Sequence, residues 1–114
     1  MDTTELILLY DYYGALLTDR QQECFEMRYH QDLSLGEIGQ ELGISRQGVH
    51  DNLSRTEALL QNMEAKTGCV RRDRRCRKAA QQIAAAAKAL SQYEDGQVAQ
   101  LAERILAAAQ DLGE

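Results

Sequence analysis

Apolar residues along the chain return at steps of three and four, the period of a helix buried on one side, and polar residues fill the positions between them. The first block covers residues 3–16, with Leu6, Tyr10, Tyr13 and Leu17 on one stripe, Ile7 and Leu16 broadening it, and Thr3 or Thr4 as the N-cap. Its tyrosines join a large apolar body to a polar tip, so they suit either the rim of a core or a subunit interface. The next block, "LTDRQQECFEMRYHQD", opens with Thr18 and, three residues on, Gln21, a capping box in which each side chain meets the other's backbone N–H. Cys24, Phe25, Arg28 and Tyr29 mark the inner edge of this second helix, and the period lapses near His30 to Asp32.

Ser34 and Glu37 form a second capping box, followed by Leu35, Ile38 and Leu42 facing inward and Glu37, Gln40 and Glu41 facing out. Gly39 lies between Ile38 and Leu42. Glycine within a helix costs about 1 kcal/mol against alanine, a cost that makes sense if another helix crosses there at close range. Gly43 supplies the left-handed residue that ends the helix, Ile44 plugs the corner, Ser45 caps the next helix, and Val49 and Leu53 return to the core. A small residue, a turn glycine, an apolar plug, a cap and two apolar anchors in this order describe a helix-turn-helix. In DNA-binding corners the outer residues at the start of the second helix meet base edges; here they are Arg46, Gln47 and His50, with Asp51 and Arg55 farther along. Arginine can pair with guanine and glutamine with adenine through two hydrogen bonds each. Capped corners also occur as inert packing units, so the pattern alone leaves both roles open.

The same helix continues through Thr56, Leu59, Leu60 and Met63 toward Lys66, where Thr67 and Gly68 mark an end or a kink. "CVRRDRRCRKAAQQIAAAAKAL" then reads as a long helix with Cys69, Cys76, Ile83 and Leu90 at every seventh position and Ala80 and Ala87 between them. "YEDG" makes a turn centred on Asp95 and Gly96, and Val98, Leu101, Ile105, Ala108 and Leu112 align a last helix. The expectation is an all-α fold: a helix-turn-helix domain over residues 1–68 and a C-terminal helical hairpin over 69–114. A seam of alanines buries little apolar area, so the hairpin should lean on helix one or on a second subunit.

Composition agrees with helix throughout: the chain of 114 residues is 44% hydrophobic, with no proline and one phenylalanine. No apolar run approaches the roughly 18 residues of a membrane span, and "MDTTELILLY" is acidic where a signal peptide is basic, so a cytoplasmic protein is expected. Charge is uneven. Residues 1–44 carry two basic and nine acidic side chains, residues 45–80 nine and four, and residues 81–114 two and five, within a net charge of −5. A net acidic chain repels polyanions at long range, while its middle attracts them. Within "RRDRRCRK", Arg71, Arg74, Arg75 and Lys78 share one helical face that suits the phosphate backbone of DNA or RNA, without base specificity; a solvated face is the alternative. Three cysteines without a C-x-x-C pair, and two histidines at no ligand spacing, offer little to a metal or a disulfide and read as small apolar side chains. Cys69 and Cys76, on one helix, would be about 10 Å apart, beyond disulfide reach. No nucleophile with a base and no phosphate loop is present, so no enzyme activity, cofactor, metal or small-molecule substrate is expected.

From "YYGALLT", "DLSLGEI", "GISRQGV" and "RTEALL", residues 8–68 resemble the YlxM family of small bacterial proteins, which are similar in their helix-turn-helix to region four of sigma factors. The resemblance implies an all-helical DNA-binding protein with a regulatory role linked to the signal recognition particle pathway. It places Ser45, Arg46, Gln47 and His50 against DNA and Arg55 on phosphate. The family pattern has alanine where this chain has Gly39 and Gly48, an aromatic at His50 and lysine at Ser54. The expected partners are DNA, with RNA as an alternative, and a second copy of the chain. The rival reading is a protein-interaction adaptor that keeps the corner as scaffold and docks a protein through its tyrosine-rich helix and acidic surface.

Overall fold

The computed structural model describes residues 2–113. Among them are six α-helices, one 3₁₀ turn and no strand: α1 (Thr3–Tyr13), the 3₁₀ turn (Gly14–Leu16), α2 (Asp19–Tyr29), α3 (Leu35–Leu42), α4 (Arg46–Thr67), α5 (Cys69–Leu90) and α6 (Gly96–Leu112). They fall into two compact units that divide between Gly68 and Cys69.

In the first unit, α1 is capped by Asp2, whose carboxylate accepts from the Glu5 N–H at 2.8 Å. Thr3 and Thr4 therefore lie inside the helix; the carboxylate one residue earlier is a strong cap and also favours the positive end of the helix dipole. The helix stops at Tyr13, and the tighter 3₁₀ turn that follows rotates Leu16 out to 72% exposure. Leu16 is thus not on the stripe, and Leu9 is buried beside Leu6 in its stead. Both stripe tyrosines turn into this unit. Tyr13 is buried with its hydroxyl 2.6 Å from Glu64 Oε1 and 2.6 Å from Thr67 Oγ1, and Tyr10 stacks on Phe25 at 4.2 Å while donating to Glu26 at 3.1 Å. Their role is packing within one chain, the first of the two roles their chemistry allows.

Both capping boxes form, at Thr18 with Gln21 and at Ser34 with Glu37. Cys24 and Phe25 are fully buried, but Arg28 is exposed and donates to the Leu33 carbonyl at 3.0 Å. Its place on the inner edge is corrected: a guanidinium stays solvated unless paired, and this one ties down the loop ahead of α3. The core joins Cys24, Ile38, Val49 and Leu53, with Met27, Leu33, Leu35 and Leu42 packed around them.

α4 is a 22-residue helix that ends at Gly68 in the left-handed conformation. Val49, Leu53, Thr56 and Leu60 are its buried face. Thr56 is tolerated there because its hydroxyl donates to the Asn52 carbonyl at 2.9 Å.

The second unit is an antiparallel hairpin. α6 starts at Asp95, whose carboxylate accepts from Gln97 and Val98 N–H at 2.9 and 3.3 Å. Its seam is alanine: Ala80 and Ala87 of α5 and Ala102 and Ala109 of α6 are buried. Of the expected seven-residue repeat, the intermediate Ala80 and Ala87 face inward, and the larger side chains are corrected. Cys76, Ile83 and Leu90 of α5 and Leu101, Ile105 and Leu112 of α6 are exposed. Methyl side chains let two helices approach closely, and that approach leaves no room between them for leucine or isoleucine.

Candidate nucleic-acid interface

The corner is built from the backbone outward. Gly43, at φ 70°, takes the left-handed conformation that turns the chain out of α3. A Cβ on Gly39 would lie 2.7 Å from the Ile44 carbonyl oxygen. The glycine is needed because the backbone of the turn itself comes this close, in place of the helix crossing expected from the sequence. Ile44 closes the corner only in part, at 36% exposure. Ser45 then caps α4, its Oγ accepting from the Gly48 N–H at 2.9 Å. A Cβ on Gly48 would sit 3.2 Å from that Oγ, so a glycine at this position fits the cap.

Ser45, Arg46, Gln47, His50 and Arg55 are all exposed. Arg46, Gln47 and His50 fall within the first turn and a half of α4, whereas Arg55, nine residues after Arg46, lies on the opposite side of the helix. Asp51, exposed farther along the same helix, engages two of the five. Gln47 Nε2 donates to Asp51 Oδ1 at 3.0 Å, and His50 Nδ1 lies 3.7 Å from the same oxygen. Asp51 thereby orients the Gln47 amide. The sequence signal for this pairing is the four-residue step between glutamine and aspartate on one helix. Beside the tip, Thr18 and Gln21 at the start of α2 and Gly48, Asp51, Asn52 and Arg55 of α4 line a polar cleft of about 330 Å³. Asn52 Oδ1 is buried with no hydrogen-bond partner among the described residues.

Arg71, Arg74, Arg75 and Lys78 lie in the second unit, all exposed along α5. Asp73 pairs with Arg77 at 3.1 Å, one helical turn away. Cys24 is buried, and desolvation pushes its thiol pKa up, with Glu23 adding to the rise and Arg20 opposing it. Cys76, in contrast, is exposed, so the small apolar reading does not hold for it. Among the described residues no group of three or more histidine, cysteine or acidic side chains could hold a metal ion, and no helix is long and apolar enough to cross a membrane.

Over residues 1–101 the chain matches the protein family described as "Putative helix-turn-helix protein, YlxM / p13 like". It is similar to a UPF0122 protein of Thermoanaerobacter sp. (strain X514), 60% identical over 67 residues, 59% of this chain and 57% of that protein. A UPF0122 protein of Caldanaerobacter subterraneus subsp. tengcongensis is 53% identical over 78 residues, 68% and 67% of the two chains. One from Bacillus cereus (strain AH187) is 48% identical over 64 residues, 56% and 58%. The chain spans little more than half the length of the first of these relatives.

Proposed function

The chain belongs to the YlxM / p13-like helix-turn-helix family, and from that premise we propose that it is a non-enzymatic regulatory protein that reads duplex DNA through the start of α4. The observation that carries the reading is the two-sided first turn and a half of that helix. Val49 and Leu53 anchor it in the core, while Arg46, Gln47 and His50 stand exposed at its capped N-terminal tip, where a major-groove helix presents its base-reading side chains. Arg55 lies two turns farther along and serves phosphate, as do Arg71, Arg74, Arg75 and Lys78 of α5. Such contacts give affinity that falls with salt and carries no sequence preference. On this reading the protein acts in the cytoplasm as a homodimer, matching two half-sites, with a regulatory role linked to the signal recognition particle pathway. RNA contact through α5 is compatible with the same chemistry.

The adaptor reading relied on a tyrosine-rich docking helix. Tyr10 and Tyr13 are engaged inside their own unit, which weakens that reading and supports the groove-reading one. Selection from a random duplex pool should enrich one short motif, with affinity declining steeply as salt is raised. If nothing is enriched, and the material crosslinked to the protein in cells is protein that survives nuclease, the adaptor reading replaces this one.

A further inference from the structure

The hairpin keeps its largest apolar side chains outside. On α5, Ala79, Ile83, Ala86 and Leu90 follow one another at helical steps and all are exposed; on α6, Leu101, Ile105, Ala108 and Leu112 repeat the same steps and the same exposure. At about 100° of rotation per residue, each stripe stands about a quarter turn from its own helix's alanine seam, in the same rotational sense on both helices. In an antiparallel pair, offsets of the same sense fall on the same side. The hairpin is therefore a two-helix layer with one apolar face. Its other face carries Lys78, Gln81 and Lys88 from α5 and Glu103 and Gln110 from α6.

An apolar face of this form is half of a four-helix core. We propose that it closes on the same face of a second copy of this chain, with the two hairpins antiparallel, so that α5 packs on α5 and α6 on α6. This rests on the homodimer part of the proposed function and names the surface that makes it. Charge selects both the occupant and the direction. One end of the hairpin carries the arginine block, with Arg72 and Arg75 bordering the apolar stripe, and the other end carries Glu94 and Asp95 in the turn. Aligned end for end, two hairpins would set arginines against arginines and acids against acids. Reversed, each acidic turn lies beside the other copy's arginines, twice over, as a twofold axis requires. The complement to each end is thus present in the chain itself.

In this arrangement the twofold axis passes near the middle of the stripe, beside Ile83. The two copies of Cys76, seven residues to one side of it, are about 20 Å apart along the helices, too far for a disulfide. Light scattering on the full chain should return a dimer mass for the wild type and a monomer mass for Ile83→Glu with Ile105→Glu. Ala85→Glu with Ala107→Glu, on the other face, should remain dimeric, and circular dichroism should show all three helical. Under mild oxidation Ile83→Cys should crosslink between copies, and wild-type Cys76 should not. A monomeric wild type would overturn the homodimer reading itself. A dimeric Ile83→Glu, Ile105→Glu variant would overturn the face alone, and a Cys76 to Cys76 crosslink in the wild type would overturn the antiparallel order.

Discussion

Gly39 and Gly43 serve the same corner by different physics. Gly43 is there for its left-handed φ of 70°, with open space around it; Gly39 has ordinary helical backbone and no room, a Cβ falling 2.7 Å from the Ile44 carbonyl oxygen. Because the obstacle at Gly39 is backbone, a larger side chain must displace the turn. Gly39→Val should lower the unfolding free energy by about 1–3 kcal/mol, the usual cost of overpacking, as read by urea denaturation; an unchanged midpoint would mean that the turn yields freely. Tyr10 makes a prediction in pH. Burial first, then the hydrogen bond and the negative charge of Glu26, push its phenol from 10.0 to about 12. A group whose pKa is raised on folding holds its proton longer in the folded state, so its contribution is complete below pH 10 and is lost as pH climbs from 10 toward 12. An ultraviolet phenolate titration should show a late step that loses one tyrosine's amplitude in Tyr10→Phe, Tyr29 also being raised by burial; a late step unchanged by that substitution would contradict this.

At the scale of elements, what could be read from sequence was what local rules decide. The boxes at Thr18 with Gln21 and Ser34 with Glu37, and the turn at Gly43, each involve backbone and side chains within four residues, so no knowledge of the rest of the fold is needed. The exposure of Gln47 followed from burial of Val49 and Leu53, whereas Arg46, seven residues before Leu53 on the same stripe, is exposed in the first turn of α4. The hairpin's phase was not legible. Hydrophobic size points Ile83 and Leu101 inward, whereas the close approach of two helices favours Ala80, Ala87, Ala102 and Ala109, and no local signal weighs one against the other. Arg28 and Leu16 were misplaced for related reasons: the period is indifferent to what a guanidinium needs, and it assumes that the helix continues past Tyr13. The elements as folded also separate the cysteines. A thiol reagent should modify exposed Cys76 readily in the native protein and reach Cys24 only on unfolding, with mass spectrometry locating each adduct. Rapid labelling of native Cys24 would contradict the burial assigned to α2.

Over the whole molecule, charge sets the terms of binding. A net charge of −5 discourages non-specific adhesion to polyanions, so on the proposed reading affinity would come from local interactions at α4 and α5, and the two sites should fail differently when removed. With Arg46 and Gln47 reading bases, removing either should cost about 1–3 kcal/mol for each good base pairing it makes. On the proposed reading Arg71, Arg74, Arg75 and Lys78 contact phosphate and not bases, and replacing each should flatten the salt dependence by up to about one unit. The most direct test compares binding to a selected duplex and a scrambled one across a salt series, for the wild type, Arg46→Ala with Gln47→Ala, and alanine at the four α5 positions. Loss of sequence preference with the salt slope kept in the first variant, and uniform weakening with a shallower slope in the second, is the result expected. A preference that survives removal of Arg46 and Gln47 would contradict groove reading by α4.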